Sequence, residues 1–489
     1  MSGPVEAAWY ALWSFREDVY LEFQEDGLIL RSRWEDVTMP VPGPQVAEAL
    51  RRMCLGPISL ENVITREADG EELSRILEVV HHLVVRSFGP DPEQALISVV
   101  PVSPRAVFHR TPLPAETPLR LSRFVSILPG KRAWRMESPL SLHRVLLHQA
   151  GAMALVGALG RPVLVSALSP GERHLAACLV ATGMAVPASN ASAQPEFEED
   201  HDPVLVGWNP LDLMFHSRTT LGRHDHDFGA TYRLGNRAVE PVVKPAAGDK
   251  HIDLPKPRWQ EMIANDPPLS AVLEAANGGV PDTGRVPSIK DLGELLYRTV
   301  RVRSLTGAPD GTTAVATSDR PYRSAGDCYG IEVYVTVDDC TGLPSGVYHY
   351  DPLAHRLNRI ADSGDELLEN GRLEANLAEV PPVLLTLTAR FRRLSWKYNG
   401  LSYALVLKDV GALTQTLSLV STAMGLPTCA LDCDDVDASS RVLGLDWKIE
   451  SGVAGLVVGR SGGARPECEE ERHPMNDAGW TEDANGLMR

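Results

Sequence analysis

The chain of 489 residues is long enough for two or three domains at roughly 150 residues each, and it carries a formal charge of −17 with an isoelectric point near 5.3. That acidity argues against a nucleic-acid backbone or an anionic membrane as partner, because both are bound through basic patches. No run approaches the ~20 consecutive apolar residues of a membrane helix, and the N-terminus MSGPVEAAWYALWSF lacks the basic start of a signal peptide, so a cytoplasmic location is expected. The seven cysteines include no CxxC pair, which predicts reduced, mostly buried thiols and no zinc site.

Residues 19–34, VYLEFQEDGLILRSRW, alternate apolar and polar around Asp26-Gly27, the pattern of a hairpin. A helix is expected at 44–54, then Gly56-Pro57, then a second helix near 71–83 running into LVVRSF. From 119 the order recurs: LRLSRFVSILPGKRAWRM as a hairpin through Pro129-Gly130, a helix at 140–159, Gly160-Arg161-Pro162, and a second helix at 170–183. The shared order predicts two winged-helix-like modules, 1–110 and 111–190. An exposed strand edge beside a helix can take up an extended peptide; the plainer alternative is a packing domain. Neither second helix carries a basic recognition stripe, which argues against DNA.

Residues 187–204, PASNASAQPEFEEDHDPV, are polar, acidic and proline-bearing, and the domain boundary is expected there. A linker and surface-wrapping segment then runs over 191–285. Within it, His224-Asp225-His226-Asp227 could suggest a metal, but adjacent ligands point in different directions and no third cluster lies nearby, so a solvated or interface loop is preferred. Pro241 to Pro287 is proline-rich, with a short helix near 269–276. A domain over 286–460 follows: helix 288–298, strand 331–337, hairpin SGVYHY, acidic helix 364–378, strand 383–389, a long helix, strand 428–431, helix 434–443 and strand 455–460. This mixture predicts an α+β fold with an antiparallel sheet packed by central helices. The tail 461–489, with Glu469-Glu470-Glu471, reads as disordered.

The long helix is announced by WKYNGLSYALVLKDVGALTQ at 396–415, where Leu405, Val406, Val410, Leu413 and Leu417 recur at helical spacing. Lys397-Tyr398 thus falls in the turn feeding a core helix. A phenol titrates near pH ~10, and a neighbouring ammonium favours the phenolate, which makes the pair a candidate base. The alternative is an ordinary basic and aromatic pair at a helix entrance.

Five stretches, FHSRTTLGRHDHDFGATYR at 215–233, DLGELLYRTVRVR at 291–303, GVYHYDPLAHRL at 346–357, the Trp396–Gln415 stretch and STAMGLPTC at 421–429, occur in an order that resembles the SagB-type azoline dehydrogenases of the nitroreductase superfamily. The resemblance covers residues 205–460. It implies a nitroreductase-like FMN fold whose two subunits, identical or not, share flavin sites, preceded by tandem peptide-clamp modules that bind the leader of a ribosomally made precursor peptide. A cyclodehydratase or an intact dehydrogenase is a further implied partner. The implied reaction is oxidation of azolines to azoles, with Tyr398 removing the ring α-proton and Lys397 lowering its pKa or holding it in place. No metal is implied.

The chain departs from the family at three flavin contacts. Where an Arg-Arg-Ser-x-Arg stretch is usual, it aligns Glu274-Ala275-Ala276-Asn277-Gly278-Gly279; a Pro-Ser-Gly-Gly-Ala-like stretch becomes Arg323-Ser324-Ala325-Gly326-Asp327; and Asp432-Cys433-Asp434 stand where glycines follow Cys-Ala-Leu. Carboxylates beside a phosphate or a reduced flavin are unfavourable unless they point away or are neutralised. Arg298, Arg301, Arg303, Arg320, Arg323 and Arg460 are replacement cations, with Arg323 and Arg460 nominated for the phosphate. The expected cofactor set is Arg298, Arg301, Arg323, Ser324, Gly326, Gln415 and Arg460. The departures leave open a flavin-free relative that binds the leader peptide or scaffolds a modification complex. A nitroreductase-like enzyme for small quinones or nitro compounds is a third reading, disfavoured because small molecules need no clamp.

Overall fold

The alternation around Asp26-Gly27 does build a hairpin: Tyr20–Phe23 and Leu28–Arg31 pair antiparallel, and Asp36–Met39 adds a third strand. This computed structural model describes residues 9–459 except 92–93, 191, 193, 236–239, 247–249, 277–284 and 308–315, and it divides into two units, Met1–His226 and Asp227–Arg489. The expected tail 461–489 and Cys468 lie outside the described residues. Of the six described cysteines, Cys178, Cys328 and Cys340 are buried, whereas Cys54 and Cys433 are exposed, fewer buried thiols than expected.

In the first unit, Leu28 and Leu30 bury the hairpin's inner face against Val46, Ala49, Leu50 and Met53 of helix Pro44–Leu55 and Leu73 and Leu77 of helix Glu67–Val79. A six-stranded antiparallel sheet runs in the order Tyr10–Phe15, Val84–Gly89, Ile97–Pro101, His143–Leu147, Trp134–Glu137, Ser126–Pro129. It takes strands from both sides of residue 110, so the two expected modules share one sheet. The helix expected at 140–159 is corrected. His143, Val145 and Leu147 alternate inward on a strand held between two neighbours, and the helix is confined to Ala150–Ala158.

The expected linker is also ordered. Glu199, on the short helix Glu198–His201, is buried, accepts from Ser122 Oγ at 2.6 Å and Arg123 N at 3.0 Å, and pairs with Arg120 at 2.8 Å. A carboxylate with three donors fixes the segment to the first unit, which continues to His226. Asp225 is not solvated either: it pairs with Arg144 at 2.6 Å and Arg16 at 3.1 Å.

The second unit is built on a seven-stranded sheet, antiparallel throughout, in the order His251–Asp253, Arg356–Ala361, Gly346–Asp351, Ile331–Val337, Val383–Arg390, Glu450–Val458, Thr428–Leu431. Strand period decides its two faces. Ile331, Val333, Val335 and Val337 pack with Val406, Val410, Leu413 and Leu417 of the long helix Ser402–Ala423 and with Leu292, Leu295 and Leu296 of helix Ile289–Thr299. Tyr334 on the opposite face packs with Leu367 and Leu368 of helix Asp365–Glu374 and Ala438 and Leu443 of helix Val436–Leu443. Each fully buried Leu or Val contributes about 1.5–3 kcal/mol, so the long helix is fixed chiefly by that stripe. Among the described residues no helix is long and apolar enough to cross a membrane.

Candidate active site

The turn between helix Phe391–Ser395 and the long helix carries Lys397 and Tyr398, and its backbone is held from two sides. Leu394 O accepts from Lys397 N at 3.0 Å and Tyr398 N at 2.7 Å. An upstream segment straps the turn: Gly229 and Asn399 exchange backbone hydrogen bonds of 3.1 and 2.9 Å, and Tyr232 N donates to Lys397 O at 3.2 Å. The Tyr232 and Trp396 rings meet edge to face at 5.1 Å, and Trp396 Nε1 donates to Gly235 O at 3.3 Å.

Against this turn lies the loop 323–329. Gly326, Asp327 and Tyr329 all have left-handed backbones, with φ of 56°, 55° and 45°. For a non-glycine residue that geometry costs roughly 1–2 kcal/mol, so the loop must be restrained. Asp409 of the long helix does this: Ser324 Oγ donates to Asp409 Oδ2 at 2.6 Å, and Ala325 N donates to Oδ1 at 2.9 Å. Ser324 Oγ also accepts from Tyr329 N at 2.9 Å, and Arg393 donates to Cys328 O through Nε at 3.0 Å and Nη2 at 2.9 Å.

The loop and the turn meet at Gly326. Its carbonyl accepts from Lys397 Nζ at 3.1 Å, and a Cβ at this position would collide with Tyr398 Oη and Lys397 Nζ. The Lys397-Tyr398 pair and Gly326, read separately in the sequence, are thereby brought together. Burial pushes the Tyr398 phenol above its ordinary value; Lys397 pulls it down, while Cys328, Tyr232 and Asp409 push it further up. Lys397 acts in the lowering direction that the resemblance implies, but burial outweighs the ammonium and the net displacement is upward. Burial likewise raises the Cys328 thiol and the Asp409 carboxyl.

Residues 119–225 match the family described as cyanobactin oxidase ThcOx, and residues 270–460, which contain both loop and turn, match the nitroreductase family. Residues 270–460 are thus a nitroreductase-family domain. A nitroreductase-type protein of Methanocaldococcus jannaschii is 34% identical over 110 residues, 22% of this chain and 55% of that protein. The trifolitoxin-processing protein TfxB of Rhizobium leguminosarum bv. trifolii is 30% identical over 143 residues, 28% of this chain and 38% of that protein. Both matches thus span less than two thirds of the relative's own length. A chain from the Escherichia coli microcin synthetase McbBCD complex with truncated pro-MccB17 bound shares 22% identity at a TM-score of 0.29, over 36% of this chain and 64% of that one.

Within the nitroreductase domain the expected cofactor residues divide. Gly326 and Ser324 lie in the loop, Gly326 touching the turn and Ser324 engaged by Asp409. Arg323, next to them, is exposed and pairs with no carboxylate among the described residues. Arg298 is instead committed to Asp266 at 2.5 Å and Glu294 at 3.0 Å, two residues that line a separate cavity of about 620 Å³ with Lys256, Arg258 and Lys290. Arg301 donates to Tyr297 O and lies 4.4 Å from that residue's ring, Arg303 pairs with Asp319 at 2.8 Å, and Arg320 is buried. Gln415 is exposed on the long helix, six residues or about 9 Å beyond Asp409. Arg460 and 277–279 lie outside the described residues.

Of the unfavourable carboxylates, Asp434 accepts from Ser439 Oγ at 2.6 Å and sits over Gly452, so it turns onto the helix Val436–Leu443 and the strand Glu450–Val458. Asp327 is exposed beside Gly326. The sequence reading missed Asp409, Arg393 and the strap at Gly229 and Tyr232. Asp409 had a signal: it occupies the i, i+4 row of Leu405 and Leu413, where a carboxylate on a buried stripe demands a partner.

Proposed function

We propose that this chain oxidises azolines to azoles in a modified, ribosomally made precursor peptide, with FMN bound at the 323–326 loop. The observation that carries this reading is the convergence of Gly326, Lys397 and Tyr398 inside a nitroreductase-family domain that follows a cyanobactin oxidase match in the same chain. The trifolitoxin-processing relative supports the peptide substrate class. FMN requires backbone without side chains near its ring and a cation or N–H groups for its phosphate. Gly326 meets the first requirement, since only hydrogen fits there, and exposed Arg323 meets the second.

FMN, when bound, would supply the acceptor for the hydride leaving the azoline β-carbon. Tyr398 takes the α-proton as phenolate, and Lys397 holds the reacting groups against the Gly326 carbonyl while favouring that phenolate. Because burial raises the Tyr398 pKa, little phenolate exists at neutral pH, and turnover rises with pH into the range above the ordinary ~10. Loss of Lys397 removes the lowering influence and moves that limb higher still. The precursor peptide is the partner assigned to the first unit, and a second nitroreductase-type subunit, identical or not, or a cyclodehydratase to the second.

A flavin-free scaffold is favoured by one observation, the exposed Asp327 carboxylate beside Gly326. One experiment separates the readings: saturate the purified chain with FMN, remove free flavin, record the spectrum and add azoline-bearing peptide. Bound-flavin absorbance with loss of two hydrogens per azoline supports the oxidase. Peptide binding without flavin absorbance establishes the scaffold. A flavin-loaded chain that ignores azolines but reduces quinones with NADPH would overturn both.

A further inference from the structure

Asp409 is 4% exposed, and both of its carboxylate oxygens are spent on neutral donors of the 323–329 loop, Ser324 Oγ and Ala325 N. It forms no ion pair among the described residues. A buried carboxylate without an ion pair is costly, and both hydrogen bonds that offset this cost go to one loop. Through Ser324 Oγ, which also accepts from Tyr329 N, Asp409 closes the loop across its left-handed residues Gly326, Asp327 and Tyr329. On its far side the loop presents the Gly326 carbonyl to Lys397 Nζ and leaves no room for a Cβ beside Tyr398 Oη. Lys397 and Tyr398 stand at the entrance of the helix that carries Asp409, so one helix sets both halves of the site.

We propose that Asp409 is the positioning residue of this site: its carboxylate fixes the Ser324–Gly326 backbone against which Lys397 and Tyr398 are set. The proposal rests on the reading of Lys397 and Tyr398 as the reacting pair. Burial is the main influence on Tyr398; Lys397 favours its phenolate, whereas Cys328, Tyr232 and Asp409 oppose it. Asp409 in turn is surrounded by Ser324, Ala325 N and Arg323, all of which favour its charge, and its field is felt at Tyr322 and Cys328.

The test uses the full chain and two readouts that need neither flavin nor peptide. Ultraviolet titration of tyrosinate, taken as the difference between each variant and the same variant carrying Tyr398→Phe, gives the Tyr398 midpoint. Amide exchange reports the loop, with Ile331–Val337 as internal control. In Asp409→Ala the Tyr398 midpoint should fall towards the ordinary ~10, and exchange at Ala325 and Tyr329 should quicken about tenfold or more while the control strand is unchanged. Asp409→Glu, which keeps the charge, should restore the midpoint at least in part. A midpoint and loop exchange identical to the parent in Asp409→Ala would overturn the proposal; if that variant does not fold, Asp409→Asn is judged by the same two readouts. Failure of azoline oxidation alone would strike the proposed reaction and leave this result standing.

Discussion

Two polar regions of the second unit treat charge in opposite ways. On the sheet, Glu332 is buried between Arg390 Nη1 at 2.9 Å and His349 Nε2 at 3.1 Å, and Arg390 also reaches Glu240 at 3.2 Å. Nearby, Glu450 holds Lys244 at 2.5 Å, Tyr334 Oη at 3.0 Å and Thr388 Oγ1 at 2.8 Å. Burial by itself would raise the Glu332 carboxyl, yet His349 and Arg390 hold it down to about 2. In the 323–329 loop and the Lys397-Tyr398 turn, burial wins instead, and Tyr398, Asp409 and Cys328 are all pushed towards their neutral forms. The first arrangement satisfies its charges and fixes a sheet. The second keeps a strained backbone and under-compensated acids beside a lysine, the arrangement that the proposed function uses to move a proton.

If that contrast is real, the largest effect belongs to the poised region. Tyr398→Phe should reduce the rate of azoline oxidation by about two to four orders of magnitude with bound flavin unchanged, and Lys397→Ala should fall in the same range. Rates are read as loss of two hydrogens per azoline beside flavin absorbance. Full activity in both variants would erase the distinction between the regions.

The next effect probes the paired region. Glu332→Gln leaves Arg390 and His349 without their shared carboxylate, and breaking a buried pair costs about 3–5 kcal/mol, measured as a lower urea midpoint. Because the folded-state pKa is depressed from 4.5 to about 2, the Glu332 contribution is whole above pH 4.5 and is lost as pH falls through about 2. Stability of the parent should therefore drop more steeply over that window than stability of Glu332→Gln. Parallel acid profiles would show that the sheet network is not what holds the charge.

A smaller change should fall on the boundary between packing and chemistry. Gly326→Ala places a methyl against Tyr398 Oη and Lys397 Nζ at a left-handed position, so a loss of about 1–2 kcal/mol is expected. The same variant should displace the lysine and shift the Tyr398 titration. A stable variant with an unmoved titration would mean that the loop and the turn are independent.

What the sequence disclosed follows from how each feature is encoded. The 19–34 hairpin, strand 331–337 and the long helix were legible because each has its own period and, in the hairpin, its own turn residues. Strand His143–Leu147 was hidden because it leads into the apolar AGAMALVGAL with only His148-Gln149 between them, and so short a break does not by itself separate strand from helix. At the site, Lys397, Tyr398 and Gly326 could be named, but their meeting depends on a loop held from the distant Asp409. That residue was passed over because the helix was counted by its apolar members. Arg298 and Arg301 were legible as cations; that Asp266 and the Tyr297 ring had already engaged them is tertiary information.

The smallest expected effect calibrates the others. Ser288 caps helix Ile289–Thr299: its Oγ accepts from Asp291 N at 3.3 Å, and Asp291 Oδ2 accepts from Ser288 N at 2.8 Å, a reciprocal box. Leu292, Leu295 and Leu296 of that helix pack into the core shared with the long helix, yet none of them touches the loop through a hydrogen bond. Ser288→Ala should therefore cost about 1 kcal/mol as a small fall in the urea midpoint, with the Tyr398 titration unmoved. Should the titration move with it, the raised phenol would reflect general tightness of the unit rather than the Asp409-held loop, because a cap lost at a helix end changes only how firmly the whole core is closed.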